Sequence, residues 1–218
     1  MQASVTSDAA RMDRHYRYQR YIYDATRTHY LIGRKHLITQ LRPAPGNRIL
    51  EIGCGTAWNL VKAARRYPEA SLFGVDVSNA MLDTASASLA HQGVSNRVTL
   101  NQGDATNFDP RTTFDQESFD RVFFSYALSM IPGWVLALNH AAGMLAPGGE
   151  LHIVDFGQCE RLPKAFKRML FAFLSHYTVT PRYDFEPHIC DTAQLHGLSV
   201  EFQRLHRGYT DYAKLCRH

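Results

Sequence analysis

The chain of 218 residues has no C-x-x-C pair, no two histidines at H-x-x-x-H spacing, no internal repeat and no low-complexity tract. Its four cysteines, Cys54, Cys159, Cys190 and Cys216, are scattered. That pattern excludes a disulfide scaffold and a zinc ribbon and points to a reducing compartment. His188 and Cys190 stand close together without further ligands nearby, so no metal is expected. No apolar run approaches the roughly 20 residues that a membrane-spanning helix needs. No secretory leader is visible at the start, so a cytoplasmic location is expected.

What is present suits one domain with a sizeable core, since 45% of the residues are apolar. Short apolar runs alternate with helix-length amphipathic segments, which predicts a parallel sheet covered by helices on both faces. Arg48 to Ile52 is such a run, and Gly53-Cys54-Gly55-Thr56-Ala57-Trp58 leads from it into a helix. Two spaced glycines let the main chain turn tightly and approach a ligand that a Cβ would block. The loop lacks the Gly-Lys-Ser/Thr of a phosphate-binding loop and the third glycine of a dinucleotide fingerprint. Glu51, at the strand end, repels a pyrophosphate but suits an ammonium group, so E-x-G-x-G favours S-adenosylmethionine over NAD.

Three further landmarks follow. A second strand over residues 71 to 77 ends in Asp76, about twenty residues beyond the glycines, where a carboxylate can accept both ribose hydroxyls. A third, over 98 to 104, places Asp104 for the adenine amino group. A fourth, over 119 to 126, ends facing the transferred methyl. Ala146-Pro147-Gly148-Gly149 reads as a turn before a fifth strand, Glu150 to Phe156. Leu198 to Leu205 and Tyr209 to Leu215 read as a closing antiparallel pair.

Charge is unevenly spread. Residues 1 to 48 carry nine Lys/Arg against three Asp/Glu, residues 49 to 157 six against eleven, and residues 158 to 218 nine against six. The added segments are basic around an acidic core, which suggests an anionic surface as partner. From Arg161 to Tyr177, Phe166, Met169, Leu170, Phe173, Leu174 and Tyr177 recur at helical spacing, while Arg161, Lys164, Lys167 and Arg168 lie mainly on other faces. Two readings stand: an interfacial helix on an anionic membrane, or an ordinary amphipathic helix packed on the sheet. Arg14 to Tyr30 interleaves Tyr16, Tyr18, Tyr21, Tyr23 and Tyr30 with Arg14, Arg17, Arg20 and Arg27. A lid helix over the cofactor is favoured there over nucleic-acid binding, because no RNA-binding module accompanies it.

Together, Glu51-Ile-Gly-Cys-Gly, Asp76, Gly103-Asp104 and Pro147-Gly148-Gly149 resemble the class I S-adenosylmethionine-dependent methyltransferases over about residues 45 to 216. Ala57 departs from that pattern where a third glycine is usual, which alanine tolerates if its φ is negative; Trp58 beside it is also unexpected. The resemblance implies a Rossmann-like, doubly wound α/β fold with a seven-stranded sheet. It implies an N-terminal helical lid over residues 1 to 44 and a cofactor domain over 45 to 218, with 158 to 190 as a basic amphipathic insertion. The implied cofactor contacts are Tyr23, Glu51, Gly53, Cys54, Gly55, Asp76, Val77, Met81, Asp104, Ala105 and Ser125.

A narrower resemblance rests on Tyr21-Ile-Tyr-Asp-Ala-Thr-Arg, Tyr30-Leu-Ile-Gly-Arg, Ser125-Tyr-Ala-Leu-Ser-Met-Ile-Pro, Ile153-Val-Asp-Phe-Gly and Val179-Thr-Pro-Arg. These are similar to bacterial diacylglyceryl-homoserine N-methyltransferases. That likeness implies three methyl transfers to the homoserine amine of a membrane lipid, giving a trimethylated betaine lipid, by an enzyme peripheral on the inner face of the membrane. Tyr126 and Tyr23 are then expected to line the methyl, and their faces to hold the growing ammonium by cation–π attraction. The amine must lose a proton before each transfer, with His140 and His176 as candidate bases. Arg34 or Arg182 would take the substrate carboxylate, beside Tyr30 and Tyr177. Rival readings are phosphatidylethanolamine N-methylation, methylation of a quinone or another small molecule, and a non-catalytic RNA- or membrane-binding relative.

Overall fold

The computed structural model describes residues 30 to 218. In chain order the elements are α1 (Arg34–Gln40), β1 (Arg48–Ile52), α2 (Trp58–Arg66), β2 (Ser71–Asp76), α3 (Asn79–His91), β3 (Val98–Gln102), α4 (Pro110–Phe114) and β4 (Phe119–Ser125). They continue with α5 (Trp134–Gly143), β5 (Leu145–Phe156), α6 (Lys164–His176), α7 (Phe185–His196), β6 (Ser199–Leu205) and β7 (Thr210–Cys216). The strands form one sheet in the order β3-β2-β1-β4-β5-β7-β6. The first five run parallel, and β7 is antiparallel to both β5 and β6.

The central strands are apolar on both sides because both sides are covered. Ile49 and Phe123 join the core beneath α1, α2, α3 and α6. Their neighbours Leu50, Ile52, Val122 and Phe124 join the opposite core, beneath α4, α5 and α7. Period-two alternation along β1 and β4 therefore feeds two cores, one on each face. From β1 the chain winds outward to β2 and β3, then crosses to β4 on the other side of β1. The order reverses there, and a crevice opens above the carboxyl ends of β1 and β4.

One strand starts earlier than its sequence reading. β5 starts at Leu145 rather than Glu150, because Leu145 already pairs with Phe119. Pro147-Gly148-Gly149 is absorbed as an irregularity, with the register shifting between Phe119 and Arg121. The closing pair is antiparallel as expected, but β7 is inserted between β5 and β6.

In the basic segment, α6 buries Leu170 and Leu174. Met169 is 64% exposed and Phe173 43%. Of the lid segment, the described part is α1 and its approach; Tyr16, Tyr18, Tyr21, Tyr23 and Arg14, Arg17, Arg20 and Arg27 lie outside the described residues. No helix among the described residues is long and apolar enough to cross a membrane.

Candidate active site

The loop after β1 is held by its neighbours rather than by its own side chains. Gly53 N and Cys54 N both donate to Val75 O, at 2.8 and 3.0 Å. Gly53 has φ +72°, and a Cβ there would sit 2.8 Å from Ala127 Cβ in the loop after β4. The two loops thus approach as closely as a missing side chain allows. Gly55, at φ +53°, faces open space and donates its N–H to Asp76 Oδ2 at 2.8 Å. Ala57 adopts φ +63°, against the negative value that would make it an easy replacement for glycine. The left-handed conformation costs an alanine on the order of 1 kcal/mol.

Acidic groups line the cradle. Glu51 is fully buried; Asn59 Nδ2 donates to its Oε1 at 2.6 Å, while Oε2 has no partner. Burial pushes its carboxyl up to about 8, against the lowering effects of the Asn59 hydrogen bond and the Arg34 charge. Asp76 accepts Gly55 N and Ser78 N, the latter at 3.0 Å on Oδ1. Gly103 N donates to Asp76 O, which fixes the start of the next acidic loop. There Asp104 Oδ1 accepts Thr106 N and Thr106 Oγ1 at 2.8 and 2.7 Å. Val77 O is held by Gln102 Nε2 at 3.0 Å, and Met81 is buried at the start of α3, where Ser78 caps it. The Cys54 thiol is buried, and its pKa is raised chiefly by that burial, so it stays protonated and unreactive.

Around the ends of β1 and β4, Glu51 Oε2, Asn59 Oδ1 and Ser125 Oγ are buried without partners among the described residues. A buried polar atom left unpaired costs about 1–3 kcal/mol. These donors and acceptors, with Asp76 and Asp104 alongside, fit a ligand carrying an ammonium, hydroxyls and a polar base. They fit S-adenosylmethionine: Glu51 for the ammonium, Asp76 for the ribose, Asp104 and Ala105 for the adenine. When bound, that group supplies an electrophilic methyl on a sulfonium.

Other expected residues have different surroundings from those their sequence position suggested. Tyr126 has φ +56°, and its hydroxyl donates to Ile32 O and shares a hydrogen bond with Thr210 Oγ1 at 3.0 Å. Burial raises its pKa far above the usual phenol value, so it stays a neutral phenol whose ring, 4.6 Å from that of Phe156, contributes a surface. Arg182 donates from Nη2 to Ile131 O and Leu128 O at 2.9 and 3.2 Å, and from Nε to Leu128 O at 3.3 Å. It fastens the loop after β4. His140 Nδ1 is 3.0 Å from Ala105 O and its ring meets Phe108 edge-on, so it supports the loop that bears Asp104 and Ala105 rather than standing as a free base. His176 is exposed at the end of α6 beside Tyr177, whose ring lies 5.0 Å from Phe173. Tyr30 lies 5.7 Å from Phe173 and stacks on Phe156 at 6.4 Å. Arg34, at the start of α1, lies 3.9 Å over the Trp58 ring, which accounts for the unexpected tryptophan.

Three contributors escaped the sequence reading. Asn59 stands eight residues after Glu51, at the second position of α2, and donates to its carboxyl group. Thr210 joins β7 to Tyr126. Asp155, an acid within the apolar run Ile153 to Phe156, accepts Ser129 N at 3.0 Å and Phe156 N at 2.8 Å. Its isolation in that run is a signal the sequence does carry. His188 lies near Asp184 and Asp191, and among the described residues no group of three or more His, Cys, Asp or Glu gathers to hold a metal.

Residues 49 to 149 match a family profile described as "Methyltransferase domain". The match covers the cradle, Asp76, Asp104 and the end of β4. The fold is that of the class I methyltransferases. Demethylmenaquinone methyltransferases are similar: that of Staphylococcus haemolyticus is 28% identical over 128 residues, 58% of this chain and 51% of the relative. That of Listeria monocytogenes is 30% identical over 126 residues, 57% of this chain and 51% of the relative. The chain spans about half the length of these curated relatives. A phosphoethanolamine N-methyltransferase of Haemonchus contortus, solved with S-adenosyl-L-methionine, superposes with a TM-score of 0.65 at 19% identity, over 84% of this chain and 52% of that one.

Proposed function

We propose that this methyltransferase fold carries an S-adenosylmethionine-dependent enzyme working at a membrane surface, and that its acceptor is the amine head group of a membrane lipid. Diacylglyceryl-homoserine, trimethylated to the betaine lipid, is the substrate that the narrower sequence likeness supports. The observation that carries the membrane reading is α6. It presents Met169 and Phe173 to solvent, and Arg161, Lys164 and Arg168 are exposed along the same segment. Apolar side chains beside cations suit the boundary of an anionic leaflet. Tyr30, Phe156 and Tyr126 form a run of ring contacts leading from Phe173 toward the end of β4.

An ammonium acceptor must shed a proton before it attacks. Among the described residues, Asp155 is committed to two backbone N–H groups and the Tyr126 hydroxyl to Ile32 O. The reading therefore gives these residues binding and positioning roles, and lets the head group lose its proton to water before the site closes around it. Proximity and exclusion of water then supply the rate.

The relatives' names favour a second acceptor, a quinone. A quinone also resides in the bilayer, so the same docking face serves either. The test is methyl transfer from labelled S-adenosylmethionine to vesicles holding diacylglyceryl-homoserine, phosphatidylethanolamine or demethylmenaquinone reduced with dithionite to its quinol, resolved by lipid chromatography. Label in the homoserine lipid is the expected result. Label in phosphatidylethanolamine or in the quinone alone moves the acceptor. Label in none of them overturns the membrane reading.

A further inference from the structure

Two buried acids stand side by side on neighbouring strands. Asp155 of β5 pairs in register with Asp211 of β7, and Asp211 pairs with Arg204 of β6. Residues directly opposite in antiparallel strands share a face, with Cβ atoms about 4.5–5.5 Å apart. Asp155 is 3% exposed and Asp211 4%, so water screens neither. Gly157 closes over Asp211: a Cβ there would sit 2.8 Å from Asp211 Oδ1 and 2.4 Å from Gly208 O.

The two carboxyls are served unequally. Asp155 accepts Phe156 N on Oδ1 and Ser129 N on Oδ2, whereas Asp211 Oδ1 has no partner among the described residues. Arg204 gives its ion pairs to Glu160, ahead of α6, and Glu186, on α7. The charges bearing on Asp211 are those of Glu160, Asp155 and Glu186, with Arg204 opposing them, and the Cys159 thiol lies near. Arg182 and the Tyr126 phenol bear on Asp155. Two carboxylates set directly opposite repel, so ionising both is costly. N–H donors favour the charged form, which leaves the proton to the acid without them.

We propose that Asp155 and Asp211 share one proton, held on Asp211, and that Asp155 is thereby kept ionised as the positioning residue of the loop after β4. That loop carries Tyr126 and also Ala127, which packs against Gly53 of the cradle. The device serves any acceptor, lipid or quinone. When Asp211 gives up its proton, two carboxylates oppose each other. The bond that yields is the one to Ser129, on a loop, rather than the one to Phe156, at the end of β5. One wall of the crevice therefore loosens as pH rises. Burial raises the Asp211 carboxyl to about 7, which places the change near neutral pH.

The test is amide hydrogen exchange at Ser129 in the cofactor-free protein, read by NMR and corrected for the intrinsic effect of pH. Wild-type protection should fall roughly tenfold between pH 6 and pH 8. Asp211→Asn is nearly the same size and neutral at every pH, so it should keep the pH 6 protection throughout. A residue that merely packs would leave the pH profile unmoved. If the variant melts early, infrared spectra of wild-type protein labelled with 13C-aspartate serve instead. A protonated aspartic acid should be present at pH 6 and gone by about pH 8.5, and the label excludes Glu51, also held protonated by burial. Wild-type protection that ignores pH, a variant that titrates like the wild type, or absence of the protonated aspartic acid would each overturn the proposal.

Discussion

Replacing Glu51 by glutamine should stabilise the cofactor-free protein, by an amount that grows with pH. The native carboxyl is held near 8 by burial, whereas an exposed glutamate titrates near 4.5. Between those values the folded chain keeps a proton that the unfolded chain has given up. Stability therefore falls as pH rises, at about 1.4 kcal/mol per unit, from the unfolded pKa until the folded one is passed. Below pH 4.5 the carboxyl is protonated in both states and costs nothing. Glutamine keeps an acceptor for Asn59 Nδ2, is nearly the same size and does not titrate. The variant should lead the wild type by about 1 kcal/mol at pH 5.5, about 3 at pH 7 and about 5 above pH 9. Other buried acids add their own pH dependence; Asp211, for example, is raised to about 7, chiefly by burial. They act equally on both proteins and cancel in the difference. Urea unfolding of both proteins across this range, without cofactor, gives the comparison. A gap that does not change with pH, or a wild type more stable than the variant at pH 8, would refute the burial argument for Glu51.

Gly53→Ala should lose about 1–3 kcal/mol of stability and most cofactor affinity, because φ +72° and a 2.8 Å approach to Ala127 Cβ both oppose a methyl group; thermal melts with and without S-adenosylhomocysteine read both. Asp76→Ala should weaken cofactor binding by tenfold or more in calorimetry, since it removes the ribose acceptor and releases Gly55 N, while circular dichroism keeps its native shape. Reversing the charges of Arg161, Lys164 and Arg168 should weaken binding to anionic vesicles roughly 100-fold at low salt, with the difference shrinking as salt rises. Unchanged vesicle sedimentation would leave α6 as a packing helix only.

The sheet was legible because a parallel strand covered on both faces reads as an apolar run, and β1, β2 and β4 are such runs. The acids that end or follow them were legible for a related reason: Glu51, Asp76 and Asp104 interrupt apolar or glycine-rich stretches. What was hidden depends on partners distant in sequence. Nothing near Arg182 says that the loop after β4 supplies two carbonyls to it. Trp58 finds its purpose only when α1 lays Arg34 over it. Pro147-Gly148-Gly149 has the composition of a turn, yet the pairing of Leu145 with Phe119 draws it into β5. The left-handed φ of Ala57 is likewise set by the loop's ties to Val75 and Asp76, not by the alanine.

The hydroxyl groups of Thr210 and Tyr126 meet at one carbonyl, that of Ile32, and Tyr209 donates to Tyr30 O two residues earlier. Contacts between positions about 180 apart close very large loops, and such contacts are slow to form. During synthesis β1 and β4 can pair once Ser125 has been made, but Ile32 has no β7 to rest on until Thr210 follows. The seventh strand of the sheet is thus the one that seats the segment bearing Arg34, and a nascent chain holds the cradle at β1 before it owns the strand that anchors this segment.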